Sequence, residues 1–139
     1  MDDFCYACKK GNLVLARQLY KQAMVDDNNA FRWACKNGFL KGAQFIYKSY
    51  NVNVSSCNEF AFRWACKNGH LPIAKWLYYK VKSTINISAF HHYAFRWACK
   101  YKHLEVAVWL MFLCPHKYEI IKDKNNQYNL ATVLKFKLK

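Results

Sequence analysis

Apolar and small residues recur along this chain at helical spacing, in blocks that resemble one another. In one block Phe62, Ala65, Cys66 and Gly69 stand at i, i+3, i+4 and i+7, the stripe of an amphipathic helix. Ala65 and Cys66 are small enough for a neighbouring helix to approach closely. Gly69 is placed to take the left-handed conformation that ends a helix. Pro72 then falls near the first turn of a second helix, where its missing N–H costs nothing, and Leu71, Ile73, Ala74 and Leu77 supply that helix's apolar face. One block therefore predicts two short helices joined by a tight turn.

The same block occurs four times: Phe4-Cys-Tyr-Ala-Cys-Lys-Lys-Gly-Asn-Leu13, Phe31-Arg-Trp-Ala-Cys-Lys-Asn-Gly-Phe-Leu40, Phe62-Arg-Trp-Ala-Cys-Lys-Asn-Gly-His-Leu71 and Phe95-Arg-Trp-Ala-Cys-Lys-Tyr-Lys-His-Leu104. Starts at positions 4, 31, 62 and 95 are 27, 31 and 33 residues apart, the size of one small supersecondary unit. The predicted fold is an all-α stack with helix pairs near 4–21, 31–48, 60–81 and 93–113, in repeats spanning about 4–30, 31–61, 62–94 and 95–114 of a single domain. A pair this small cannot bury its apolar face alone, so stacked neighbours must complete the core. Polar segments at 25–29, 51–58 and 83–92 are read as irregular connections, and residues 115–139 as a C-terminal helical cap. Lys102 replaces the turn glycine in the fourth unit, which predicts a strained turn there.

Composition narrows the class. A chain of 139 residues builds one core, and 54% apolar with 18% aromatic residues excludes a mainly disordered protein. Four Gly and two Pro are too few for an all-β protein with many tight turns. The longest apolar run, Val106 to Cys114, is far short of the ~20 residues of a membrane span. Met1-Asp2-Asp3 lacks the basic start of a secretory signal. Together with an odd count of seven cysteines, this points to a reducing, intracellular compartment, such as a host cytoplasm or a virion if the protein is viral. The net charge of +14 has two readings: a field that attracts anionic surfaces, or the Lys- and Asn-rich usage that an AT-rich coding sequence produces.

The segment from Phe62 to Leu77 resembles the ankyrin repeat: Ala65-Cys66 fall on that family's paired alanines, and Ile73-Ala74 and Leu77 on its second-helix apolar positions. The resemblance covers residues 4–113, about four repeats. Thr84-Ile-Asn-Ile-Ser88 followed by Ala94-Phe-Arg-Trp-Ala-Cys99 is similar to ankyrin-repeat proteins expanded in giant DNA viruses of the mimivirus type. It implies a solenoid and a non-enzymatic protein–protein interaction module, here engaging a host or viral partner. The family's Thr-Pro-Leu-His entry is missing, and Arg32, Arg63 and Arg96 (with Cys5 in the first unit) fall where its His stands. The first linkers are also too short for full hairpins, so short or degenerate ones are expected.

Cys8, Cys35, Cys66 and Cys99 share one slot of successive helices, about 10 Å apart, too far for one metal ion, and are read as buried thiols. The histidines at 70, 91, 92, 103 and 116 keep no recurrent Ser, Asp or Glu company, and no Gly-rich phosphate loop occurs, so neither a catalytic site nor a cofactor is expected. In the Gly-His-Leu slot, the resemblance implies a turn-stabilising role for His70 and His103. Trp33, Trp64 and Trp97, with Tyr6 in the first unit, are assigned to core packing in preference to a base-stacking ladder. Arg32/Lys36, Arg63/Lys67 and Arg96/Lys100 each share one helical face. The resemblance places Lys9, Lys36, Lys67 and Lys100, and beside them Lys10, Asn37, Asn68 and Tyr101, at variable positions on a concave partner-binding face. Arg32, Arg63 and Arg96 are additional candidates, either for that face or for bonds across the repeat junction, and Glu59 stands four residues before Arg63, within reach of a local pair. A protein partner is the first reading; nucleic acid or another polyanion, or a structural virion role, is the alternative.

Overall fold

The computed structural model describes residues 2–10, 12–23, 27–80, 85–87 and 89–115, with some side chains inside those ranges left aside. Among the described residues there are eight α-helices and no strand: α1 (Asp2–Lys10), α2 (Leu13–Ala23), α3 (Asp27–Lys36), α4 (Leu40–Ser49), α5 (Ser56–Lys67), α6 (Leu71–Lys80), α7 (Ala89–Lys100) and α8 (Leu104–Leu113). The expected C-terminal cap lies outside the described residues. None of these helices is long and apolar enough to cross a membrane.

The last three helix pairs turn in the same way, because equivalent positions of the repeat supply the cap. Gly38 N–H donates to the Cys35 carbonyl and Phe39 N–H to the Ala34 carbonyl (3.4 and 2.9 Å), which closes the end of α3 as a Schellman turn. The pattern repeats with Gly69 to Cys66 and His70 to Ala65, and again with Lys102 to Cys99 and His103 to Ala98. Gly38 and Gly69 take φ of +82° and +77°, which only glycine adopts without strain. Lys102 is driven to +65° in the equivalent place, the strained turn that its substitution for glycine predicted. The residue that ends one helix starts the next: Ala43, Ala74 and Ala107 donate to the carbonyls of Phe39, His70 and His103.

Helices α3, α5 and α7 pack one on the next, and each carries its partner (α4, α6 or α8) against it. Phe31, Phe62 and Phe95 form the spine of the core, flanked by Ala34-Cys35, Ala65-Cys66 and Ala98-Cys99, all essentially inaccessible. The outer helices close it with Ile46, Ile73, Leu77, Val106 and Leu110. Successive units are also stapled by aromatic contacts: Phe31 meets Trp76 at 6.2 Å between centroids, and Phe62 meets Trp109 at 6.3 Å. The first pair sits differently, with α1 and α2 packing on α4.

The inner helices begin about one turn before the apolar stripe that marked them, at 27, 56 and 89 and not near 31, 60 and 93. The segments at 25–29, 51–58 and 83–92 are thus partly helical. The sequence hid this, because the positions one turn before each apolar stripe are polar: Asp27-Asn28, Asn58-Glu59 and His91-His92. Within these first turns Glu59 and His92, at the same place in their repeats, take φ of +62° and +60°. That turn also clasps the next unit: Asn28 Oδ1 accepts the Asn53 N–H at 2.8 Å, and Glu59 Oε1 accepts the Asn86 N–H at 3.3 Å. Each bond ties one unit to the extended connection that leads into the next.

Candidate binding face

The face begins with two positions of the repeat. Trp33, Trp64 and Trp97 lie two residues after the core phenylalanines, and Lys36, Lys67 and Lys100 three residues further on, in the last turn of each inner helix. A lysine there is favoured by the helix dipole. The core assignment of the tryptophans is corrected by the structure. All three are half-buried, since phenylalanine already fills the space between helices and the tryptophans project along one edge of the stack.

Along that edge lysines and tryptophans alternate. Lys36 Nζ lies 4.5 Å from the Trp64 centroid, and Lys67 Nζ 3.9 Å from the same ring. Lys67 Nζ is also 4.5 Å from Trp97, and Lys100 Nζ is 4.3 Å from Trp97. Each of these two rings therefore receives a cation from its own helix and one from the helix before. Such contacts contribute about 0.5–1 kcal/mol each at exposed sites. They oppose the repulsion between like charges and hold three ammonium groups in line. Tyr101 extends the end of the row, stacked on Trp97 at 5.1 Å with its ring half exposed. Among the described residues no carboxylate pairs with Lys36, Lys67 or Lys100.

The other candidates divide. Lys10 is exposed, with Nζ 5.8 Å from the Tyr6 ring, but α1 packs on α2 and α4, and so does not simply extend the series set by α3, α5 and α7. The Lys9 side chain lies outside the described residues. Asn37 is exposed and donates to the Trp33 carbonyl in its own helix at 2.8 Å. Asn68 is not a free recognition group: its Nδ2 donates to the Lys36 carbonyl of the preceding unit at 2.7 Å. His70 Nε2 reaches the same carbonyl at 3.1 Å, and its ring lies against Gly38, so this histidine ties two turns together. Burial holds its pKa below the usual value; the Lys36 carbonyl opposes that shift, and His103 adds to it.

The arginines form a second row that serves the junction between units. Arg32 lies 5.7 Å from the Phe60 ring and also bonds Asn29 Oδ1, whereas Arg63 is 4.9 Å from the Tyr93 ring and buried. Arg63 therefore belongs to the junction and not to the partner-binding face, because the next unit covers it. Arg96 is exposed. Glu59 does not act simply as Arg63's local counter-ion: one oxygen holds the Asn86 N–H and the other has no hydrogen-bond partner. Burial raises its pKa, against the lowering effects of Asn86, Ser55 and Arg63. No sequence signal marked Glu59 as a clasp, since its counterpart Asn28 differs in type.

Cys35, Cys66 and Cys99 are free and buried, and burial pushes their thiols upward, Cys99 to about 12. Unreactive packing thiols fit that environment. Cys5 and Cys8 have side chains outside the described residues. Among the described residues no group of His, Cys, Asp and Glu is arranged to hold a metal ion. No protein-family model and no curated protein matches this chain.

Proposed function

We propose that this chain is a non-enzymatic binding module, an ankyrin-like solenoid that holds an acidic protein partner on the edge bearing Lys36, Lys67 and Lys100. The observation that carries the reading is the alternation of these lysines with Trp64 and Trp97, which orients three ammonium groups that no carboxylate among the described residues neutralises. The repeat resemblance supports a protein as the partner, host or viral in the setting that the giant-virus likeness suggests. Buried free thiols suit the reducing compartment expected for such a module.

Single-stranded nucleic acid is the second reading, because basic grooves interleaved with aromatic rings bind it. The net charge of +14 favours it. Against it stands the occupancy of Trp64 and Trp97: cations lie over the surfaces on which bases would stack.

The test is affinity capture from the natural host's cytoplasm, with and without nuclease. The double reversal Lys36→Glu/Lys67→Glu is compared with Lys48→Glu/Lys75→Glu, which alters two exposed lysines on the outer helices. A protein partner retained after nuclease and weakened at least about tenfold by the first reversal alone supports the reading. Equal losses from the two reversals mean that net charge governs binding, and loss of all partners on nuclease treatment moves the function to nucleic acid.

A further inference from the structure

The spacing of the ladder restricts the conformation of whatever crosses it. Lys36 and Lys67 reach one shared Trp64 centroid at 4.5 and 3.9 Å, and Lys67 and Lys100 reach Trp97 at 4.5 and 4.3 Å. Neighbouring ammonium nitrogens therefore cannot lie further apart than each pair of distances laid end to end. That is an upper limit, and the stacking supplies the step itself: α3, α5 and α7 pack directly on one another and carry the lysines at equivalent positions, so successive lysines are offset by about one interhelical spacing, roughly 8–10 Å.

A peptide that places one carboxylate against each lysine must repeat at that distance on one side. An α-helix advances about 5.4 Å per turn, too short for the step. A β-strand reaches about 10 Å in three residues, but its third side chain points to the opposite face. A polyproline II helix has three residues per turn and rises about 3.1 Å for each, so every third side chain returns to the same side after about 9 Å. We infer that the ladder reads an acidic segment in polyproline II conformation, with Asp or Glu at every third residue, one for each of Lys36, Lys67 and Lys100.

This inference rests on the protein-binding reading and specifies its partner. Charge complementarity is local as well as global: Trp64 and Trp97 hold the lysines in place, so the ligand meets three positioned donors and not three freely rotating chains. Carboxylates in that register gain three charge-assisted contacts at once, whereas the same charges bunched together satisfy one or two.

The experiment uses the full chain and three fluorescent peptides of identical composition, rich in Pro and Ala, each with three Glu. The glutamates stand at i, i+3, i+6 in the first, at i, i+2, i+4 in the second and at i, i+1, i+2 in the third. A single-stranded oligonucleotide is measured beside them at the same salt. The inference expects the first peptide to bind at least about tenfold more tightly than the other two. Lys67→Gln should remove that preference while the chain remains folded at the assay temperature, checked by circular dichroism, and Lys80→Gln, on α6, should preserve it. Equal binding of the three peptides, reduced by Lys67→Gln, would overturn the register while leaving the acidic-partner reading intact. Preference for the second peptide would replace polyproline II by a strand. An oligonucleotide that binds where no peptide does would overturn the acidic-partner reading itself.

Discussion

Glu59 is a buried carboxylate with one oxygen bonded to the connection at Asn86 and the other unsatisfied. Desolvation raises its folded pKa above the unfolded value, so the charged form is disfavoured in the native state. Stability from this residue is therefore complete below the unfolded pKa and is lost as pH rises through the folded one. Glu59→Gln keeps an acceptor for Asn86 and cannot ionise. Urea unfolding at acid and neutral pH should show a decline for the wild type that is smaller in this variant; equal declines would assign the pH dependence elsewhere. The turn residues give a second prediction. Lys102 stands at φ +65° where its counterparts are glycine, so Lys102→Gly should stabilise the chain by about 1 kcal/mol, measured by urea unfolding. Gly69→Ala should do the reverse, because φ is +77° and a Cβ would meet the His103 ring at 2.5 Å.

At the scale of elements, the inner helices are joined twice, by a core of phenylalanines and by an edge of cations on aromatic rings. The edge was half visible in the repeated Arg-Trp-Ala-Cys-Lys. Identical positions in stacked units had to line up, so the row of lysines followed from the sequence once the stack was assumed. That each lysine lies over a tryptophan of its own or the next unit did not follow, because the sequence leaves open whether Trp64 or Phe62 turns inward. The packing decides: Phe62 is inaccessible and Trp64 half-buried. A double-mutant cycle of Lys67→Met and Trp97→Leu should therefore give a coupling of about 0.5–1 kcal/mol in chemical unfolding. Zero coupling would make the contact incidental.

Over the whole molecule, each unit is stable only through its neighbours. Phe62 lies in the middle inner helix, fully buried, and meets Trp109 of the last unit at 6.3 Å. Phe62→Ala should cost about 3–5 kcal/mol, a large share of the roughly 5–15 kcal/mol typical of such a domain. Calorimetry should show the units on both sides of it losing stability together. A wild-type-like transition for residues 89–115 in hydrogen exchange would mean that the last unit stands alone.

By itself the sequence determined the all-helical class, the helix–turn–helix unit, its turn glycines and the strain at Lys102, because these depend on local periodicity and on backbone conformations that one residue type permits. It also determined that equivalent lysines would form a row. Tertiary structure alone decided the starts of α3, α5 and α7, because polar residues (Asp27-Asn28, Asn58-Glu59 and His91-His92) stand where the apolar stripe would continue into the first turn. It alone removed Arg63 and Asn68 from the free surface, since the groups that occupy them, Tyr93 and the Lys36 carbonyl, lie about 30 residues away along the chain and become neighbours only through stacking. The same holds for the first unit, where α1 and α2 dock on α4 despite sharing the repeat motif. Periodicity records which residues face inward within one helix; which surface meets which is settled by side chains distant in sequence, packed to fill one common volume.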